Sequence, residues 1–204
     1  ILDAACGVGT QSIGLAALGY AVTASDISPG AVERARTLAQ QRNLTIDFQV
    51  ADMRTLRTAL PGTFDVVIAC DNAVPHLLTE ADIQQAFRQF YECTTPAGGC
   101  IISVRDYANL ERGGQQIHAR HVHDIPGGRL FTFDVWDFDG DYYDLTIYVV
   151  EDHGQAEAVT HVIRGGRYYC VTIDKLEQLF KQAGFNQVVT LRGRLFQPVL
   201  VGIQ

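Results

Sequence analysis

The chain has 204 residues, 47% hydrophobic and 19% charged, which suits one domain with a sizeable core and excludes a disordered chain. A formal net charge of −7 without a lysine or arginine run excludes a broad nucleic-acid footprint, because such a surface repels polyphosphate. No apolar run approaches the roughly 20 residues that span a bilayer, so no membrane association is expected.

Residues 1–5 read as a first strand, opening without Met inside an apolar segment, so a native N-terminal segment is expected to be missing from the 1–204 domain. Cys6-Gly7-Val8-Gly9-Thr10 follows, then a helix through Ile13, Ala16 and Ala17. Further strands are expected at 20–24, 46–50, 64–70 and 100–104. Ser28-Pro29 opens one intervening helix, since serine caps and proline fits the first turn. Thr79 opens another, with Asp82 completing a capping-box-like pair. Ile83, Ala86, Phe87 and Phe90 then keep helical spacing. Near-continuous apolar strands alternating with helices imply a parallel sheet covered on both faces, with ligands beyond the strands' carboxyl ends.

The pattern then changes. Residues 129–138, 142–151, 156–163 and 167–171 read as an antiparallel meander, an insertion over 128–171 with turns at Asp139-Gly140, at 152–154 and at Gly165-Gly166. A last helix carries Leu176, Leu179, Phe180 and Ala183, Gly184 ends it, and closing strands fall at 187–191 and 196–203. The five cysteines are odd in number and lack a CxxC, so reduced thiols in a cytoplasmic protein are expected. His118, His121 and His123 read as a loop near the site mouth rather than a metal site, and no metal is expected.

The glycine turn carries the chemistry. A dinucleotide site prefers GxGxxG, but Ser12 stands at the third glycine, and Asp3 just before the turn is wrong for a pyrophosphate. S-adenosylmethionine has a carboxylate, an ammonium and a sulfonium but no phosphate, so D-x-x-x-G-x-G favours it. That makes Asp3, Gly7 and Gly9 candidate cofactor residues. Asp26 ends the second strand, where a carboxylate accepts from ribose hydroxyls, and Ile27 follows it. Asp52 ends the third, where an acid accepts from an adenine amine while Met53 packs on the ring. Each acid is equally readable alone as a helix cap.

DAACGVG, SD, ADM and FDVVIACDN in this order resemble the class I S-adenosylmethionine-dependent methyltransferases. The resemblance implies an α/β, Rossmann-like, seven-stranded, mostly parallel sheet whose last strand is antiparallel, with the β-meander inserted after strand 5. Cys70-Asp71-Asn72-Ala73-Val74-Pro75-His76-Leu77 and Val104-Arg105-Asp106-Tyr107 are similar to segments of glycine N-methyltransferases, and the meander ending at Arg167-Tyr168-Tyr169 has a counterpart there. By that resemblance Ala5, Gly7, Asp26, Asp52, Met53, Cys70 and His76 touch the cofactor, while Asn72, Arg105, Tyr107 and Tyr168 face the substrate. Asp71 stands where that family has glycine. The expected activity is methylation of a small molecule, an amine or an amino acid such as glycine or sarcosine, with Asp71 or His76 as proton acceptor. Methylation at oxygen or carbon, and a non-catalytic cofactor-binding module, remain open. The meander's aromatics are candidates for the substrate-pocket wall or a contact in a homo-oligomer.

Overall fold

A computed structural model describes residues 1–204, which divide into two compact units: Ile1–Ala108 with Thr172–Gln204, and Asn109–Val171. The first unit runs β1 (Leu2–Asp3), α1 (Thr10–Ala17), β2 (Thr23–Asp26), α2 (Pro29–Gln41), β3 (Asp47–Val50), a 3-10 turn (Met53–Thr55), α3 (Leu56–Ala59), β4 (Phe64–Ala69), a second 3-10 turn (Val74–His76), α4 (Glu80–Cys93) and β5 (Thr94–Ser103). The second unit holds β6 (Gln115–Ile125), β7 (Gly128–Asp139), β8 (Tyr142–Asp152) and β9 (Val159–Tyr169). The chain then returns to the first unit with α5 (Ile173–Gln182), β10 (Gln187–Leu191) and β11 (Val199–Ile203).

The first unit is built on a seven-stranded sheet in the order β10-β11-β5-β4-β1-β2-β3. The first five strands are parallel, and β11 lies antiparallel to both β5 and β10. This is the parallel sheet that the alternating pattern implied, with the seven strands and antiparallel closing strand that the resemblance implied. Strand order reverses at β1, which pairs with both β2 and β4, and a crevice opens there beyond the strand ends.

Local chemistry explains the elements. Ser28 caps α2 by accepting from the Ala31 N–H. Thr79 Oγ1 accepts from the Asp82 N–H at 3.1 Å and donates to Asp82 Oδ2 at 2.9 Å, the expected reciprocal cap of α4. Ile83, Ala86, Phe87 and Phe90 are fully buried along one face of α4, and Phe87 meets Phe180 of α5 edge-on at 5.0 Å. No helix is long and apolar enough to cross a membrane.

The second unit is a four-stranded antiparallel sheet in chain order β6-β7-β8-β9. It differs from the expected meander in two ways. The polar, histidine-rich stretch expected as a loop is strand β6, which pairs with β7 along its length, so the sheet begins ahead of residue 128. Its residues are mostly exposed, as an edge strand permits, and this hid the strand from a reading based on apolar alternation. His118 packs on the Trp136 ring at 4.0 Å. The glycine pair at 165–166 is also no turn, because β9 continues through it. Leu145 pairs with Gly166 and Thr146 with Arg164, which leaves Gly165 as the extra residue of a bulge. A Cβ on Gly165 would lie 2.8 Å from Leu145 Cδ2, so a side chain there would have to displace that of Leu145. Asp139-Gly140 is the hairpin turn expected, with Gly140 at φ +58°.

Candidate functional site

The turn between β1 and α1 shapes the crevice. Gly7 and Gly9 adopt φ +53° and +88°, values that side chains disfavour. The two glycines have different neighbours. A Cβ on Gly9 would sit 3.0 Å from Ala35 Cβ and 3.1 Å from Ile13 Cδ1, so Gly9 lets α1 pack on α2. A Cβ on Gly7 would meet nothing within 4 Å, because Gly7 faces open space in the crevice. No side chain caps α1, so its first-turn N–H groups, beside Thr10 and Gln11, remain available to a carboxylate.

Asp3 lies beneath the turn rather than in the crevice, as its 1% exposure requires. It accepts from Ser12 Oγ at 2.5 Å and from the Ala5 N–H at 3.4 Å. Burial raises its pKa from the usual 3.8 to about 6, against the lowering effect of the Ser12 bond. Ser12, which broke the dinucleotide pattern, is therefore the partner of this acid. Gly9 and Asp3, both expected to touch the cofactor, instead support the turn from behind.

Two compartments occupy the crevice. One, of about 310 Å³, is lined by Ala5, Asp26, Ile27, Met53, Leu77 and Asp82 among others. The second, of about 450 Å³, is lined by Gly7, Thr10, Gln11, Cys70, Asp71 and Ala73 among others. Ala5, Asp26, Ile27, Met53 and His76 line both. Asp26 therefore stands at the junction of an elongated groove. Its Oδ2 accepts from the Gly7 N–H at 2.8 Å and its Oδ1 from the Ser28 N–H at 2.9 Å. Each oxygen keeps a second lone pair for a ligand.

Asp52 lines the smaller compartment beside Met53, but its carboxylate already serves Arg54. Oδ1 accepts from the Arg54 backbone N–H at 2.8 Å, and Arg54 Nη2 reaches Oδ2 at 2.6 Å. Arg54 also bonds Asp82 Oδ1 at 3.1 Å, which ties the turn after β3 to the start of α4. Bonding to Arg54 holds the Asp52 pKa below the ordinary carboxylate value. The only trace of this clamp in the sequence was a cation two residues after the acid.

Cys70 follows directly on β4 and lines the larger compartment. Burial pushes its thiol up to about 11, and that of Cys6 up to about 12, so both stay protonated at neutral pH. Asp71 and Asn72 follow with φ +56° and +64°. Two consecutive left-handed residues are strained, and both are anchored. The Asp71 N–H donates to Ser103 Oγ at 2.8 Å and the Asn72 N–H to the Ser103 carbonyl at 3.0 Å. Asn72 Nδ2 donates to Tyr107 Oη at 2.8 Å, and Asn72 Oδ1 accepts from the Arg105 N–H at 3.0 Å. Asn72 and Tyr107 are 5% and 0% exposed, so this pair braces the backbone after β5 instead of presenting itself to a ligand, as had been expected. The structure thus brings together Ala5, Gly7, Asp26, Ile27, Asp52, Met53, Cys70, Asp71 and His76 around one groove. Arg105 lines neither compartment. Tyr168 belongs to the antiparallel sheet, where its ring stacks on Tyr143 at 4.9 Å.

Residues 1–98 match a family profile described as a methyltransferase domain. Over 117 residues the chain is 34% identical to a glycine/sarcosine N-methyltransferase of Parasynechococcus marenigrum, covering 57% of this chain and 42% of that protein. Over 77 residues it is 35% identical to a ubiquinone biosynthesis O-methyltransferase of Xanthomonas campestris, covering 38% of this chain and 32% of that protein. The chain thus spans less than half the length of these curated relatives. Among solved structures, the fold matches an S-adenosylmethionine-bound amino pentose methyltransferase of Micromonospora echinaspora at TM-score 0.82 and 20% identity, over 99% of this chain and 81% of that one.

Proposed function

We infer that this chain is a class I S-adenosylmethionine-dependent methyltransferase and that it methylates a small molecule at an amine nitrogen, with amino acids such as glycine and sarcosine the first acceptors to try. One observation carries the reading: the groove has two compartments with a carboxylate, Asp26, at their junction. A nucleoside joined to an amino acid is a ligand of that form. S-adenosylmethionine, when bound, supplies the methyl group on a sulfonium. The chain's residues supply the alignment that in-line displacement needs. The spare lone pairs of Asp26 accept from two ribose hydroxyls. Ile27 and Met53 give the base an apolar wall. The uncapped first turn of α1 faces the carboxylate, and Asp3 places negative charge beneath the turn for the ammonium. Asp71 lines the larger compartment and His76 lines both, and either can take the proton an amine sheds. Arg105 is the proposed clamp for an acceptor carboxylate, a bidentate geometry that lysine cannot copy.

Titration of S-adenosylmethionine into wild type and D26A tests the cofactor reading. Affinity is expected to fall roughly tenfold or more in D26A, the loss of hydrogen bonds to a charged group. Equal, negligible affinity in both proteins would overturn it. A methyl-transfer screen over glycine, sarcosine, dimethylglycine and uncharged amines then tests the acceptor. Equal activity with and without a carboxylate would remove the role given to Arg105.

A further inference from the structure

Asp52, Arg54 and Asp82 line the smaller compartment and not the larger one, so they lie away from the Asp26 junction. Asp52, the acid expected at a purine amine, is already engaged. Its Oδ1 accepts from the Arg54 backbone N–H at 2.8 Å and from Arg54 Nε at 3.1 Å. Its Oδ2 accepts from Nε at 3.1 Å and from Nη2 at 2.6 Å. A carboxylate has about four lone-pair sites, and these four contacts occupy them. Asp82 is different. Its Oδ1 accepts from Arg54 Nη1 at 3.1 Å and its Oδ2 from Thr79 Oγ1 at 2.9 Å, which leaves a lone pair on each oxygen. Its side chain is 33% exposed, within reach of a ligand in the compartment it lines. The bonds from Thr79 and Arg54 hold its pKa below the ordinary carboxylate value, so it only accepts at neutral pH. Capping α4 explains the Thr79 bond but uses one lone pair of Oδ2.

We propose that Asp82, held in place by Arg54, accepts from the exocyclic amine of the cofactor's purine and makes the site selective for adenine over 6-oxopurines. The inference rests on the methyl-donor reading above, which puts a nucleoside base in this compartment. The count of donors and acceptors carries it. The amine of adenine only donates in such a contact, and it needs an acceptor with a spare lone pair. Asp82 has one and Asp52 does not. Arg54 adds the complementary donor. Its bonds to the two acids use Nε, Nη1 and Nη2, which leaves an N–H on each Nη. The ring nitrogen beside the adenine amine is an acceptor, so Asp82 and Arg54 together match that edge of the base. A 6-oxopurine presents the reverse, an oxygen in place of the amine and an N–H in place of the bare nitrogen. Asp82 repels that oxygen. Arg54 is a positioning residue for Asp82. Its fork on Asp52 fixes the guanidinium plane, and Nη1 then holds Asp82 Oδ1 while Thr79 holds Oδ2.

The test titrates S-adenosylhomocysteine and S-inosylhomocysteine, which differ in the 6-position edge of the base, into wild type, D82A and D52N by calorimetry. Wild type should prefer the adenosyl ligand roughly tenfold or more, since a hydrogen bond to a charged group is lost with the other. D82A keeps the residue-82 N–H that Thr79 caps, so α4 is retained, and the preference should fall below about threefold. D52N loosens the Arg54 fork, and should weaken both ligands alike and keep the preference. A preference that survives in D82A, or that disappears in D52N while D82A retains it, would overturn the assignment. Carbon NMR of 13C-labelled wild type needs no variant. The Asp82 carboxyl signal should move further with the adenosyl ligand than with the inosyl one, and equal shifts would overturn the assignment too. Failure of S-adenosylhomocysteine to bind wild type at all would instead overturn the methyl-donor reading on which the assignment stands.

Discussion

Replacing Asp3 by Asn should stabilise the protein at neutral pH while weakening its cofactor site. Asp3 is buried and accepts from Ser12, and its pKa is raised from 3.8 to about 6. The folded chain therefore binds this proton more tightly than the unfolded chain. Between those two pKa values the folded state carries more protons, so stability falls as pH rises through the window. Above it the cost of the buried charge is fully present, about 3 kcal/mol for a shift of about two pH units. D3N has no charge to bury, although weakening of the Ser12 bond offsets part of the gain. The difference in unfolding free energy between D3N and wild type should be near zero at pH 4 and rise to about 1–3 kcal/mol at pH 7. Urea melts at pH 4, 5, 6 and 7 measure it directly, and the other carboxylates titrate in both proteins and cancel in the difference. S-adenosylmethionine affinity should fall several-fold, because the charge beneath the turn is gone. A difference that stays constant from pH 4 to 7 would refute the reasoning, since Asp3 would then ionise as an ordinary carboxylate.

The two turn glycines should separate stability from binding. G9A places a methyl 3.0 Å from Ala35 at φ +88°, and should cost about 2–4 kcal/mol in thermal or urea melts. G7A meets no protein atom, so its stability cost should stay near the 1–2 kcal/mol of the left-handed backbone, while its methyl enters the groove and lowers cofactor affinity. For His76, the pH–rate profile of H76A against wild type decides its role. A lost limb is expected if it takes the amine's proton, and full turnover across pH would remove it from the chemistry.

The parallel sheet was legible because buried strands are apolar on both faces and the helices between them carry caps such as Ser28 and Thr79. Strand β6 was not, since its polar residues carry no alternating apolar face and its pairing is set by β7. The groove was legible where acids end strands, as at Asp26. What each acid does was not, because that depends on partners. Asp52 is taken by Arg54, and Asp3 by Ser12.

Strand β11 has a consequence for the order in which the protein can be made. It pairs with β5, but the whole of Asn109–Val171, then α5 and β10, must leave the ribosome between them. During that interval β5 is an open edge rich in unpaired backbone, beside a sheet that cannot close. Contacts so distant in sequence form late and leave nascent chains prone to association. Residues made long after β5 are thus the ones that seal the sheet, so a ribosomal stall or a truncation before Val199–Ile203 would release a sticky, incomplete chain.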